Sequence, residues 1–86
     1  LIAPKFFTPN NDSYNDVWEI KGLNNYPEAE VNIFDRYGKL ITKLTATKQT
    51  WDGTFNKNLL PADDYWYILK IDNTKLVSKG HFSLKR

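Results

Sequence analysis

Apolar side chains recur at every second position along most of this chain, in short runs bounded by Asn, Asp, Gly and Pro. That period of two reads as β-strands joined by turns, not as helices. Ile2 to Phe7 reads as a short first strand, with Pro4 best accommodated at an edge, where no ladder donor is lost. Thr8 to Asp16 is a polar loop dense in Asn and Asp. Val17 to Ile20 follows, placing Trp18 and Ile20 on one face. Gly22 to Ala29, with Pro27, is irregular. Glu30 to Asp35 and Lys39 to Leu44 predict a hairpin around Arg36, Tyr37 and Gly38, where the glycine supplies a positive φ. Trp51 opens a turn-rich stretch through Asp52-Gly53 to Pro61. Asp64 to Ile71 is the strongest strand, and Asp72 to Lys75 turns the chain into a last strand, Leu76 to Leu84.

Several short strands with turn signals between them predict an all-β fold, an immunoglobulin-like antiparallel β-sandwich of about seven strands. In Tyr65 to Ile71 both alternating faces are largely apolar, which predicts a strand covered on both sides. Trp18, Trp51, Trp66 and Phe82 are expected in the core. The last strand is one-sided. Leu76, Phe82 and Leu84 point inward with Ser78 and Gly80 between them, while Lys79, His81, Ser83 and Lys85 point outward.

Composition narrows the function classes. Eighty-six residues make a single domain, 1–86, and a chain this short buries only about 60% of its unfolded surface. A 15% aromatic content offsets that deficit, because aromatic rings bury the most area per ordered residue. With 12 basic and 10 acidic residues, no nucleic-acid footprint is expected. The absence of cysteine excludes disulfides and thiolate metal sites. No apolar run is long enough for a transmembrane helix, and no signal peptide is read. A chain that starts at Leu1 and holds no Met is expected to be a piece of a longer protein.

Candidate chemistry is sparse. Asn10, Asp12, Asn15 and Asp16 offer hard oxygen ligands for calcium, but the spacing lacks the loop glycine and terminal Glu of an EF-hand. Asx turns that bond Asp12 and Asp16 to nearby backbone N–H groups are the preferred reading. Asp63-Asp64 follows Pro61-Ala62 and reads as a turn. His81 and Ser83 share a face without an orienting acid or a pocket, so no enzyme is expected. Trp18, Trp51 and Trp66 could stack on sugars, although the alternation favours core. Lys79, His81, Lys85 and Arg86 form the candidate partner-recognition set, against the plainer reading of a solvated face whose lysines deter edge aggregation.

Phe7-Thr8-Pro9-Asn10, Asp12 and Asn15-Asp16-Val17-Trp18 resemble the opening Thr-Pro-Asn-Gly-Asp-Gly-x-Asn-Asp motif of a secretion-signal family. Val31-Asn32-Ile33-Phe34-Asp35-Arg36-Tyr37-Gly38 is similar to that family's central strand and turn. Trp51-Asp52-Gly53-Thr54, Leu60-Pro61, Tyr65-Trp66-Tyr67 and the closing Lys79 to Arg86 follow in the family's order. The family is the type IX secretion sorting domain, type B, of the gliding-motility-associated C-terminal kind. Two family glycines are replaced, by Asn11 and Ser13. Asn tolerates the left-handed region that such a turn requires, and Ser does so less well.

The resemblance implies a domain at the C-terminus of a large surface protein or adhesin of a Bacteroidetes-type bacterium. It implies recognition by the type IX translocon and a porin-like outer-membrane partner, and export through periplasm and outer membrane to the cell surface or medium. No cofactor, metal or small-molecule substrate is implied. The residues themselves add a mechanism: the last strand, Leu76 to Arg86, is expected to present a basic face and an exposed backbone edge. A generic extracellular immunoglobulin-like adhesion or glycan-binding module is the alternative.

Overall fold

Residues 1–72 and 75–86 are described by the computed structural model. The expected turn after Asp72 and the inward side chain of Leu76 lie outside the described residues. Nine strands are described: β1 (Phe6–Phe7), β2 (Trp18–Glu19), β3 (Glu30–Phe34), β4 (Leu40–Thr45), β5 (Thr50–Trp51), β6 (Thr54–Phe55), β7 (Asn58–Leu59), β8 (Asp63–Asp72) and β9 (Lys75–Leu84). They form a five-stranded sheet in the order β1-β9-β8-β3-β4 and two small two-stranded sheets, β2-β5 and β6-β7. The expectation of an all-β sandwich holds, with β2, β5 and the turns around them packed on one face of the large sheet.

The β3–β4 hairpin forms as its sequence predicts. Gly38 sits at φ 80°, its N–H donates to the Asp35 carbonyl, and the Asp35 N–H donates to the Lys39 carbonyl. The first strand is shorter than expected and pairs with β9 in parallel, Phe6 beside Ser83 and Phe7 beside Leu84. Its proximal part serves the second layer instead: the Pro4 carbonyl accepts the Trp18 indole N–H at 2.9 Å. Within the turn-rich stretch after Trp51, β6 and β7 make a hairpin with Phe55 opposite Asn58. Its two turn residues, Asn56 and Lys57, both have positive φ (51° and 68°), the twist that a two-residue hairpin loop requires.

The core lies between the layers. Val31, Ile33, Leu44, Leu69, Phe82 and Leu84 from the large sheet meet Trp18, Ile20, Leu23 and Trp51 from the other side. Phe82 is its centre. Trp18 stacks on it with ring centroids 4.2 Å apart, and Phe7, Trp51, Tyr65 and Tyr67 surround the same ring. Offset and edge-on ring pairs each contribute about 0.5–1.5 kcal/mol beyond the area they bury. Burial raises the Tyr65 phenol above its ordinary pKa, and its hydroxyl donates to the Pro61 carbonyl at 2.9 Å.

Trp66 departs from expectation. Trp18, Trp51 and Phe82 are buried, but Trp66 is 40% exposed. β8 is covered on one side only: Tyr65 and Leu69 face the core, while Trp66 lies on the opposite face, where the described residues form no second layer. The parity was present in the sequence, since Asp64, Lys70 and Asp72 share Trp66's alternate positions and mark that face as the wet one.

A basic and aromatic outer face as the candidate functional site

The alternation of β9 places Phe82 and Leu84 inward and Lys79 and His81 outward, where both are exposed. Lys85 follows on the outward side, its ammonium 4.9 Å from the centre of the Phe6 ring. Three of the four expected recognition residues, Lys79, His81 and Lys85, therefore share one face. Arg86 does not join them. It turns to the far side, where Nε donates to the Leu60 carbonyl at 2.8 Å and Nη2 to the Gly53 carbonyl at 3.4 Å. Those bonds tie the chain end to the base of the β6–β7 hairpin, a structural task.

The last strand is also less of an edge than expected. β1 runs alongside its end, and the Ser83 and Lys85 amides donate to the Lys5 and Phe7 carbonyls. Among the described residues no strand flanks β9 on that side before Ser83. The open backbone is thus the earlier part of the strand, next to Lys79 and His81.

Registers carry an apolar row across this face. His81 lies beside Trp66, Trp66 beside Phe34, and Phe34 beside Leu40. The His81 and Trp66 rings are 6.1 Å apart, and Leu40 is more exposed than Trp66. Phe34, Arg36, Trp66, Ile68 and Lys79 line a groove of about 720 Å³ along the row. Nothing in local sequence pairs Phe34 and Leu40 with Trp66, because their meeting depends on strand order.

The charges on this face and at its margin are divided unequally. Glu30 pairs with Lys43 at 3.5 Å and Asp63 with Arg36 at 3.6 Å. One Asp35 oxygen accepts the Tyr37 and Lys39 backbone N–H groups, both at 2.9 Å. Asp64 accepts the Ser83 hydroxyl at 2.8 Å, so that hydroxyl is directed at a carboxylate and not at His81. Arg36 also bonds the Tyr37 hydroxyl at 3.1 Å, which with Asp63 holds its pKa above the ordinary value. Among the described residues, no carboxylate lies within ion-pair distance of Lys79, His81 or Lys85.

The polar loop is built from Asx turns. Asp16 accepts the Asn11 and Ser13 backbone N–H groups at 3.0 and 2.8 Å, and Asp12 accepts that of Tyr14 at 2.9 Å. Thr8 closes the loop by donating its N–H to the Asn15 carbonyl at 2.7 Å. The loop carboxylates are therefore committed to backbone donors. Among the described residues no helix is long and apolar enough to cross a membrane.

A family model described as the CHU_C Type IX secretion signal domain matches residues 1–84. No match was found among curated proteins or among solved structures.

Proposed function

The chain belongs to the type IX secretion signal domain family, and from that premise we propose how the signal is read. Membership carries export out of the cell and interaction with the type IX machinery. In the proposed reading the signal is a folded surface, the outer face of β9, with Lys79, His81 and Lys85 as its recognition residues. The observation behind it is the charge imbalance of that face: among the described residues Lys79, His81 and Lys85 have no carboxylate within ion-pair distance, while Glu30, Asp35, Asp63 and Asp64 are each engaged by a neighbour. Arg86 is left out of the set because its guanidinium holds the β6–β7 base. The role is binding, without catalysis or cofactor.

The finer reading follows the sequence resemblance. The domain closes a large surface protein of a Bacteroidetes-type bacterium, of the gliding-motility-associated kind. It engages a porin-like outer-membrane partner and delivers its cargo to the cell surface.

The test is a reporter fused ahead of the domain in a host with a matching type IX system. Replacing Lys79 and His81 together with glutamate should leave the melting temperature nearly unchanged, since exposed charged side chains contribute little to stability. Exported reporter should fall sharply. Undiminished export of that folded variant removes these residues from the signal, and failure of the intact domain to export anything removes the sorting role in this system.

A further inference from the structure

Trp66 is the unusual feature of the outer face. An indole is costly to leave in water, because burying apolar area contributes about 25 cal/mol per Å². Of the three tryptophans it alone stands outside the core, 40% exposed against 0% for Trp18 and 3% for Trp51. It is not isolated, since Phe34 and Leu40 continue its row and Trp66 and Phe34 line the groove of about 720 Å³. Rows of exposed apolar residues with a charged rim mark interaction surfaces.

The rim identifies the chemistry of the occupant. Glu30, Asp35, Asp63 and Asp64 are each engaged by a neighbour within the domain, and Asp72 is engaged as well. His81 stands at the β9 end of the row and Lys79, beside Ile68, on the lining of the groove, both without an acidic partner among the described residues. A second copy of this face would bring like charges together, at a cost. A protein segment with acidic side chains around an apolar anchor would satisfy the lysine and cover the indole at once.

We infer that the groove between Arg36 and Lys79 is a docking site for an acidic protein segment whose apolar side chain seats on Trp66. The inference rests on the outer face being the surface by which the signal is read, and it adds the chemistry of the partner. The row supplies contact area and the lysine supplies sign, which is how charge at a rim selects among partners of similar shape. Lys85, beyond the groove on the same face, extends the positive field toward Phe6.

The experiment follows the three indole N–H signals by nuclear magnetic resonance on the intact domain. The probe is a synthetic decapeptide of glutamates around one central leucine. The controls are its lysine counterpart and a neutral oligosaccharide, chitotetraose. The acidic peptide should shift the Trp66 signal while leaving those of Trp18 and Trp51 in place. Affinity should fall about tenfold in Lys79→Glu, and it should weaken between about 50 and 500 mM salt as screening shortens the reach of the charges. Trp66→Ala should lose binding, and Lys79→Glu, an exposed change, guards against misreading an unfolded variant. Equal binding of both peptides, no shift with the acidic one, or a Trp66 shift with chitotetraose alone would each overturn the inference. The export reporter separates the two readings. If the intact domain exports and Trp66→Ala exports equally, the groove fails and the sorting role stands. If the peptide binds as expected but the intact domain exports nothing, the sorting role fails and the groove stands.

Discussion

Ser13 holds a left-handed backbone, φ 71°, between Asn11 at 64° and Asn15 at 52°. The two asparagines adopt that region readily, whereas serine has no such allowance, and the conformation costs about 1–2 kcal/mol for an ordinary L-residue. The loop is held regardless, because Asp16 takes both the Asn11 and Ser13 amides. Ser13→Gly should therefore stabilise the domain by about 0.5–1 kcal/mol, the relief of strain less glycine's greater entropy in the unfolded chain. A denaturant midpoint measures it, and a lower midpoint in the glycine variant would show that the serine is not strained. The need for a turn here was legible in the density of Asn and Asp. Which carboxylate takes which amide was not, since that depends on how the nine-residue loop closes on itself.

Between elements, the β8–β9 pair is organised by a glycine. Gly80 lies beside Tyr67, and a Cβ placed on it would come within 3.2–3.4 Å of three atoms of the tyrosine ring and hydroxyl. The missing side chain lets Tyr67 lie across β9, its ring 5.4 Å from Trp18 and its hydroxyl 3.4 Å from that of Ser78. Gly80→Val should cost about 1–3 kcal/mol through overpacking. Combining it with Tyr67→Ala should cost less than the sum of the two single changes, the signature of direct contact in a double-mutant cycle. Additive losses in thermal melts would refute the contact. A strand of Lys79, Gly80, His81 and Phe82 announces a split between wet and dry faces, but it does not announce which ring fills the gap above the glycine.

At the scale of the whole molecule, Phe82 and Trp66 separate stability from recognition. Phe82 is fully buried at the meeting point of five rings. Phe82→Ala should cost about 3–5 kcal/mol, a large part of the stability of a domain this size. Trp66→Ala, on the open face, should lower the melting temperature far less. Circular dichroism melts rank the two, and equal losses would mean that Trp66 supports the fold and does not await a partner.

The sequence by itself determined the all-β class, the β3–β4 hairpin and the two long strands, because a period of two and turn residues with special φ are local properties. It also determined the outward set Lys79, His81 and Lys85, since alternation along one strand needs no knowledge of its neighbours. Tertiary structure alone decided that β1 covers the end of β9 and leaves its earlier backbone open, because a parallel pairing joins residues from opposite ends of the chain. It decided that Arg86 turns back to Gly53 and Leu60, and that exposed Trp66 and Leu40 join half-buried Phe34 in one row on the outer face. Each of these rests on strand order and on which face receives the second layer. Apolar content alone made Trp66 look like core, and the side on which the sheet is covered left it in water.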